Sequence, residues 1–111
     1  METGEFQNNQ ESSYEPRIVV LGNVLECIDA LSGELSIKIL ADIKQLGTGK
    51  TASLLIKPLR GKLMELSVKQ YRILYFRIEG TIYVVDVLKK QSRKTPRRII
   101  KRAWNIYKKF E

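Results

Sequence analysis

Among its 111 residues the chain has no histidine and only one cysteine. The lone Cys27 cannot form an internal disulfide, and without histidine there is neither a Cys/His zinc site nor a Ser-His or Cys-His dyad. Any catalysis must therefore draw on Lys, Arg, Tyr, carboxylates or hydroxyls, and no cofactor or metal is expected. Long apolar runs are also missing: none approaches the ~20 residues that a bilayer span requires. The segment METGEFQNNQESSYE lacks the basic and apolar regions of a secretory signal. The expected location is the cytoplasm, with no membrane partner. A chain of this length is expected to form one domain with a modest core.

Positive charge is abundant and unevenly placed. Twenty Lys and Arg stand against twelve Asp and Glu, for a net charge of +8. Residues 1–15 carry −4, residues 16–88 carry +3 and residues 89–111 carry +9. A field concentrated in the last fifth of the chain favours a polyanion such as nucleic acid or an acidic protein segment. The plainer alternative is a solvated helix face, which is what charge runs usually are.

The first 13 residues are polar, acidic and aperiodic, and read as a disordered lead-in to a single domain over 14–111. Ile18–Leu21 is a β-branched run that stops at Gly22, as a first strand would. Asn23 and Glu26 have the spacing of a capping box, opening a short helix with Val24, Leu25, Ile28 and Leu31 inward and Cys27 as a small core residue. A second helix is expected from Glu34 to Leu46. Leu35, Ile39, Ile43 and Leu46 form its inner stripe, Lys38, Asp42 and Gln45 lie opposite, and Gly47 stands at its C′ position. Thr48 to Lys62 reads as a loop or irregular edge, punctuated by Gly49, Pro58 and Gly61.

Beyond Gly61 the period changes to two. Strands are expected at Leu63–Val68, Tyr71–Glu79 and Thr81–Leu88, with a tight hairpin at Glu79-Gly80. Alternation sets Tyr71, Ile73, Tyr75 and Arg77 on one face of the middle strand and Arg72, Leu74, Phe76 and Ile78 on the other. Asp86 interrupts Ile82, Val84 and Leu88, so its carboxylate must be paired or lie at an edge. Thr95-Pro96 reads as an N-cap followed by proline at N1. Ile99, Ile100, Ala103, Trp104, Tyr107 and Phe110 then make an apolar helical stripe, better suited to core than to base stacking. The architecture is α+β: an N-terminal strand and αα-hairpin packed on a small antiparallel sheet, with a basic C-terminal helix.

Specific motifs lie between Lys57 and Arg98. Lys57-Pro58-Leu59-Arg60-Gly61 leads through Met64-Glu65-Leu66 to Tyr71-Arg72-Ile73-Leu74-Tyr75-Phe76, and the series closes on Lys89-Lys90-Gln91-Ser92-Arg93-Lys94-Thr95-Pro96-Arg97-Arg98. This resembles the RelE/ParE superfamily of type II toxin–antitoxin toxins, in particular its phage-derived HigB-like branch. In element order the resemblance spans roughly residues 14–107. It implies a microbial RNase fold, cleavage of mRNA on the translating ribosome and inhibition of translation. It also implies a cognate antitoxin of helix-turn-helix type that forms a hetero-oligomer with the toxin.

Attack of a 2′-OH on the adjacent phosphate requires a base, cations for the developing charge and an acid for the leaving 5′-oxygen. Arginine cannot be the base, but its planar fork suits two phosphate oxygens. Lysine can transfer protons if burial or neighbouring cations lower its affinity for them. The resemblance assigns Arg72 to the scissile phosphate and Lys89 or Lys90 to proton transfer. Lys57, Arg60, Tyr71, Arg93, Lys94 and Arg97 are further RNA-binding candidates, with Tyr71 or Tyr75 able to stack a base. The alternative for Arg72 is a salt bridge to Asp86. Two positions depart from the family pattern: Ser67 stands where an arginine is usual, and Asp86 where a histidine is common. They leave open a slow, altered or inactive nuclease. Two other functions fit the same charge: a non-enzymatic, ParE-like poison of DNA gyrase, and a basic nucleic-acid-binding regulator with steeply salt-dependent binding.

Overall fold

A computed structural model describes residues 17–111. The acidic lead-in expected at 1–13 lies outside the described residues. The elements are β1 (Arg17–Val20), α1 (Gly22–Asp29), α2 (Gly33–Thr48), β2 (Leu55–Arg60), β3 (Leu63–Val68), β4 (Tyr71–Ile78), β5 (Thr81–Lys89) and α3 (Arg97–Phe110). The strands form one sheet in the order β1-β5-β4-β3-β2. Among the described residues only the β1–β5 pair is parallel.

The alternation along β4 becomes two cores. On one face, Ile73 and Tyr75 join Val24 and Ile28 of α1 and Ile39, Ile43 and Leu46 of α2. On the other, Leu74 and Phe76 join Leu63, Val85 and the Ile99, Ala103 and Tyr107 stripe of α3. A central strand covered on both faces must be apolar on both, and Arg72 is the one charged residue of β4 that is buried. Phe76 centres an aromatic group, 5.1 Å edge-on to Tyr107 and 5.4 Å from Tyr83. Burial pushes the Tyr75 phenol above its usual value, partly offset by the nearby charge of Arg77.

Several local expectations change. The α1 helix starts from the Leu21 carbonyl, which accepts from the Val24 and Leu25 N–H groups at 2.9 Å, and no side chain caps it. Asn23 thus sits inside the first turn. Cys27 and Leu25 are exposed rather than inward. Ser32 caps α2 by accepting from the Leu35 N–H at 3.3 Å. Its end is at Gly49, not Gly47, because Gly49 is the residue with φ of 79° that turns the chain out of the helix. Arg77 donates to the Leu46 carbonyl at 3.2 Å near that end. Asp42 is buried and paired with Lys38 at 3.1 Å instead of standing on the wet side. The expected irregular edge contains β2, whose register shifts between Pro58 and Arg60; a proline is tolerated there because an edge strand need not donate from every N–H.

A bulge decides the fate of Asp86. Leu74 pairs with Asp86, whereas Tyr75 pairs with Val84, leaving Val85 as the extra residue. Ile82 and Val84 therefore pack toward α1 and α2, while Asp86 meets Arg102 of α3 at 2.7 Å. Asp86 does not share a face with Ile82 and Val84, as strict alternation would have it.

Candidate functional site

The loop between β5 and α3 carries the cations Lys90, Arg93 and Lys94, and a buried polar group holds it. Arg72, 4 % exposed, projects from the α3 face of β4. Its Nη2 donates to the backbone carbonyls of Ser92 at 2.7 Å and Arg93 at 2.8 Å. Its Nε has no hydrogen-bond partner and lies 3.7 Å from Oε2 of Glu65, which is 3 % exposed. Glu65 in turn accepts from the Thr95 hydroxyl. The Ser92 hydroxyl donates to the Lys94 carbonyl at 2.8 Å, and the Lys90 N–H donates to Gln70 at 2.7 Å. The loop is thus tied at one end to the β3–β4 turn, in its middle to β4 and at its other end to β3, with the side chains of Arg93 and Lys94 exposed to solvent and Lys90 half-buried.

This arrangement alters two expectations. Thr95 does not cap α3: its hydroxyl is engaged by Glu65, and the helix begins after Pro96, whose carbonyl accepts from Ile99 and Ile100. Arg72 pairs with neither Asp86 nor open solvent. Its burial and its bonds to the loop carbonyls fit a role in holding the loop.

The nine candidate residues fall into three places. Lys57 stands opposite Glu65 in the β2–β3 register and so shares the face of the clamp, beside the loop bearing Lys90, Arg93 and Lys94. Arg60 and Arg97 line a groove against α3. Tyr71 and Lys89 are direct partners across β4 and β5, and Tyr71 packs toward α1 and α2. The pleat therefore sets Lys89 on the face opposite Arg72. Sequence reasoning missed Glu65 and Thr95 as a pair; thirty residues separate them, and no local pattern links a strand carboxylate to a loop hydroxyl.

Residues 26–108 match the family model described as phage derived protein Gp49-like. The chain belongs to that family. No curated protein matches it by sequence. Among solved structures, the Gp49-like chain is similar to a chain of the archaeal RelE–RelB complex of Pyrococcus horikoshii. There the TM-score is 0.59 at 17 % identity, over 72 % of this chain and 99 % of the other. It is also similar to a chain of the RelB–RelE antitoxin–toxin complex of Methanococcus jannaschii, with a TM-score of 0.55 at 18 % identity, over 78 % and 98 % of the two chains. The isolated RelE toxin of E. coli gives 0.55 at 14 % identity, over 82 % and 98 %. The Gp49-like protein thus has the RelE fold.

Proposed function

We propose that this Gp49-like protein is the toxin of a type II toxin–antitoxin system and cuts mRNA on the translating ribosome, in the cytoplasm, until a cognate antitoxin covers its basic surface. The observation that carries this reading is the loop of Lys90, Arg93 and Lys94 held over the sheet by the buried Arg72–Glu65–Thr95 group. Cations fixed in advance stabilise a developing charge without reorganising when it forms, which is where electrostatic catalysis gains most. The solved relatives named for toxins and for toxin–antitoxin complexes support the same reading.

In this mechanism the substrate's 2′-oxygen forms a bond to the adjacent phosphorus as the bond to the 5′-oxygen breaks. A base takes the 2′ proton and an acid returns one to the 5′-oxygen. Lys90 is the candidate for proton transfer on the clamp's face, with Lys89 the candidate from the strand end. Arg93, Lys94 and Lys57 stabilise the phosphate, and Arg72 is a positioning residue. Controlled expression followed by mapping of mRNA 5′ ends against ribosome position tests the proposal. New cuts within translated reading frames are expected. Intact mRNA with double-strand DNA breaks identifies a gyrase poison, and intact mRNA with salt-dependent nucleic-acid binding identifies a regulator.

A further inference from the structure

A second basic feature runs away from the loop. Arg97, Lys101 and Lys108 lie along one side of α3, and Arg60 reaches them from the end of β2. With Trp104 and Asn105 they line an open groove of 440 Å³ that contains no carboxylate. Among the described residues none of the four cations forms an ion pair, whereas Arg102, immediately after Lys101, is paired with Asp86.

Arg60 is held in place. Its guanidinium carbon lies 4.3 Å from the centroid of the Trp104 ring, a cation–π contact. Gly61 has φ of 52°, and a Cβ there would meet Trp104 at 2.9 Å. The turn after β2 thus needs glycine twice, for its backbone and for the indole pressed against it. The result is a flat cation displayed beside a row of lysines. From Arg97 to Lys101 the helix advances ~6 Å and from Lys101 to Lys108 ~10.5 Å, of the order of one and two steps between phosphates along an extended strand. Arg97 opens α3 only three residues after Lys94, so the groove begins where the loop ends.

We infer that this groove binds single-stranded RNA, carrying its backbone on Arg97, Lys101 and Lys108 and stacking a base on the Arg60 plate, so that an RNA engaged at the loop continues along α3. Unpaired RNA suits the site because a stacking plate can reach only an unstacked base. The inference deepens the proposed nuclease reading, but it concerns binding and can be measured without cleavage.

The test is fluorescence anisotropy of the full chain with single-stranded RNAs of about 3 and about 10 nucleotides, lengths below and within the usual range of single-strand sites, at several salt concentrations. The longer RNA is expected to bind at least ~10-fold more tightly, as several added phosphate contacts imply. A Lys101→Gln/Lys108→Gln variant is expected to lose that advantage, with its log–log salt slope shallower by about 1.4 for two lost contacts. Arg60→Lys keeps the charge but not the plate, and is expected to weaken binding to normal RNA while leaving an abasic strand unaffected. The inference is overturned if the double variant keeps the length advantage, if duplex RNA binds as well as single strands, or if an acidic peptide displaces RNA and binds more tightly. Loss of the length advantage in a protein that cuts no mRNA keeps the groove and removes the nuclease; cleavage in cells with no length advantage does the reverse.

Discussion

The two faces of the sheet solve different problems. The face covered by α1 and α2 is closed by Val24, Ile28, Ile39, Ile43, Leu46, Ile73 and Tyr75, a cluster stabilised chiefly by removing apolar surface from water. The face covered by α3 is apolar at one end, through Leu63, Leu74, Phe76 and Val85, and polar at the other, where Glu65, Arg72 and Thr95 are buried. Burying an ion pair usually gains little over apolar packing. Here it fixes the backbone of a cationic loop that has no apolar anchor between Leu88 and Ile99. One face is scaffold, and the other uses polar burial to position charge.

Breaking the pair is expected to give the largest effect. Arg72→Ala leaves Glu65 charged and buried without a cation, and should cost about 3–5 kcal/mol in denaturant unfolding. A loss no larger than that of an exposed residue would mean that the pair holds nothing. On the scaffold face, Ile28→Ala should cost about 2–5 kcal/mol, with cleavage per folded molecule unchanged. Thr95→Val removes the hydroxyl from Glu65 and should cost about 1–3 kcal/mol. Cleavage by its folded fraction should fall through kcat rather than KM, and Thr95→Ser should restore it. An equal loss of cleavage in Ile28→Ala and Thr95→Val would erase the distinction between the faces. The smallest effect is expected from Asp86→Asn: Arg102 is 62 % exposed, so the loss should stay under about 1 kcal/mol.

What could be read from the sequence follows the same division. The alternation of β4 placed Ile73 and Tyr75 on one face and Leu74 and Phe76 on the other, because period-two patterning records burial directly. The stripe of α2 was legible in Leu35, Ile39, Ile43 and Leu46 for the same reason. Its end was not: Gly47 and Gly49 are both plausible stops, and only φ distinguishes them. The face of Asp86 escaped because a bulge at Val85 breaks alternation without any glycine to mark it. In the site, the charge of residues 89–98 was plain in composition, whereas the role of Arg72 was not. Its partners are carbonyls twenty and twenty-one residues away, and backbone groups leave no trace in side-chain pattern. The groove stood half in view, since Arg97, Lys101 and Lys108 share a helical side, but the approach of Arg60 over Trp104 is a tertiary contact.

Single-turnover cleavage of ribosome-bound mRNA by a Lys90→Gln/Lys94→Gln variant tests most directly whether the held loop performs the chemistry. With a melting temperature matching the parent, the rate is expected to fall by at least ~10²-fold, the scale of losing one oriented electrostatic group. A rate within about twofold of the parent would contradict the account.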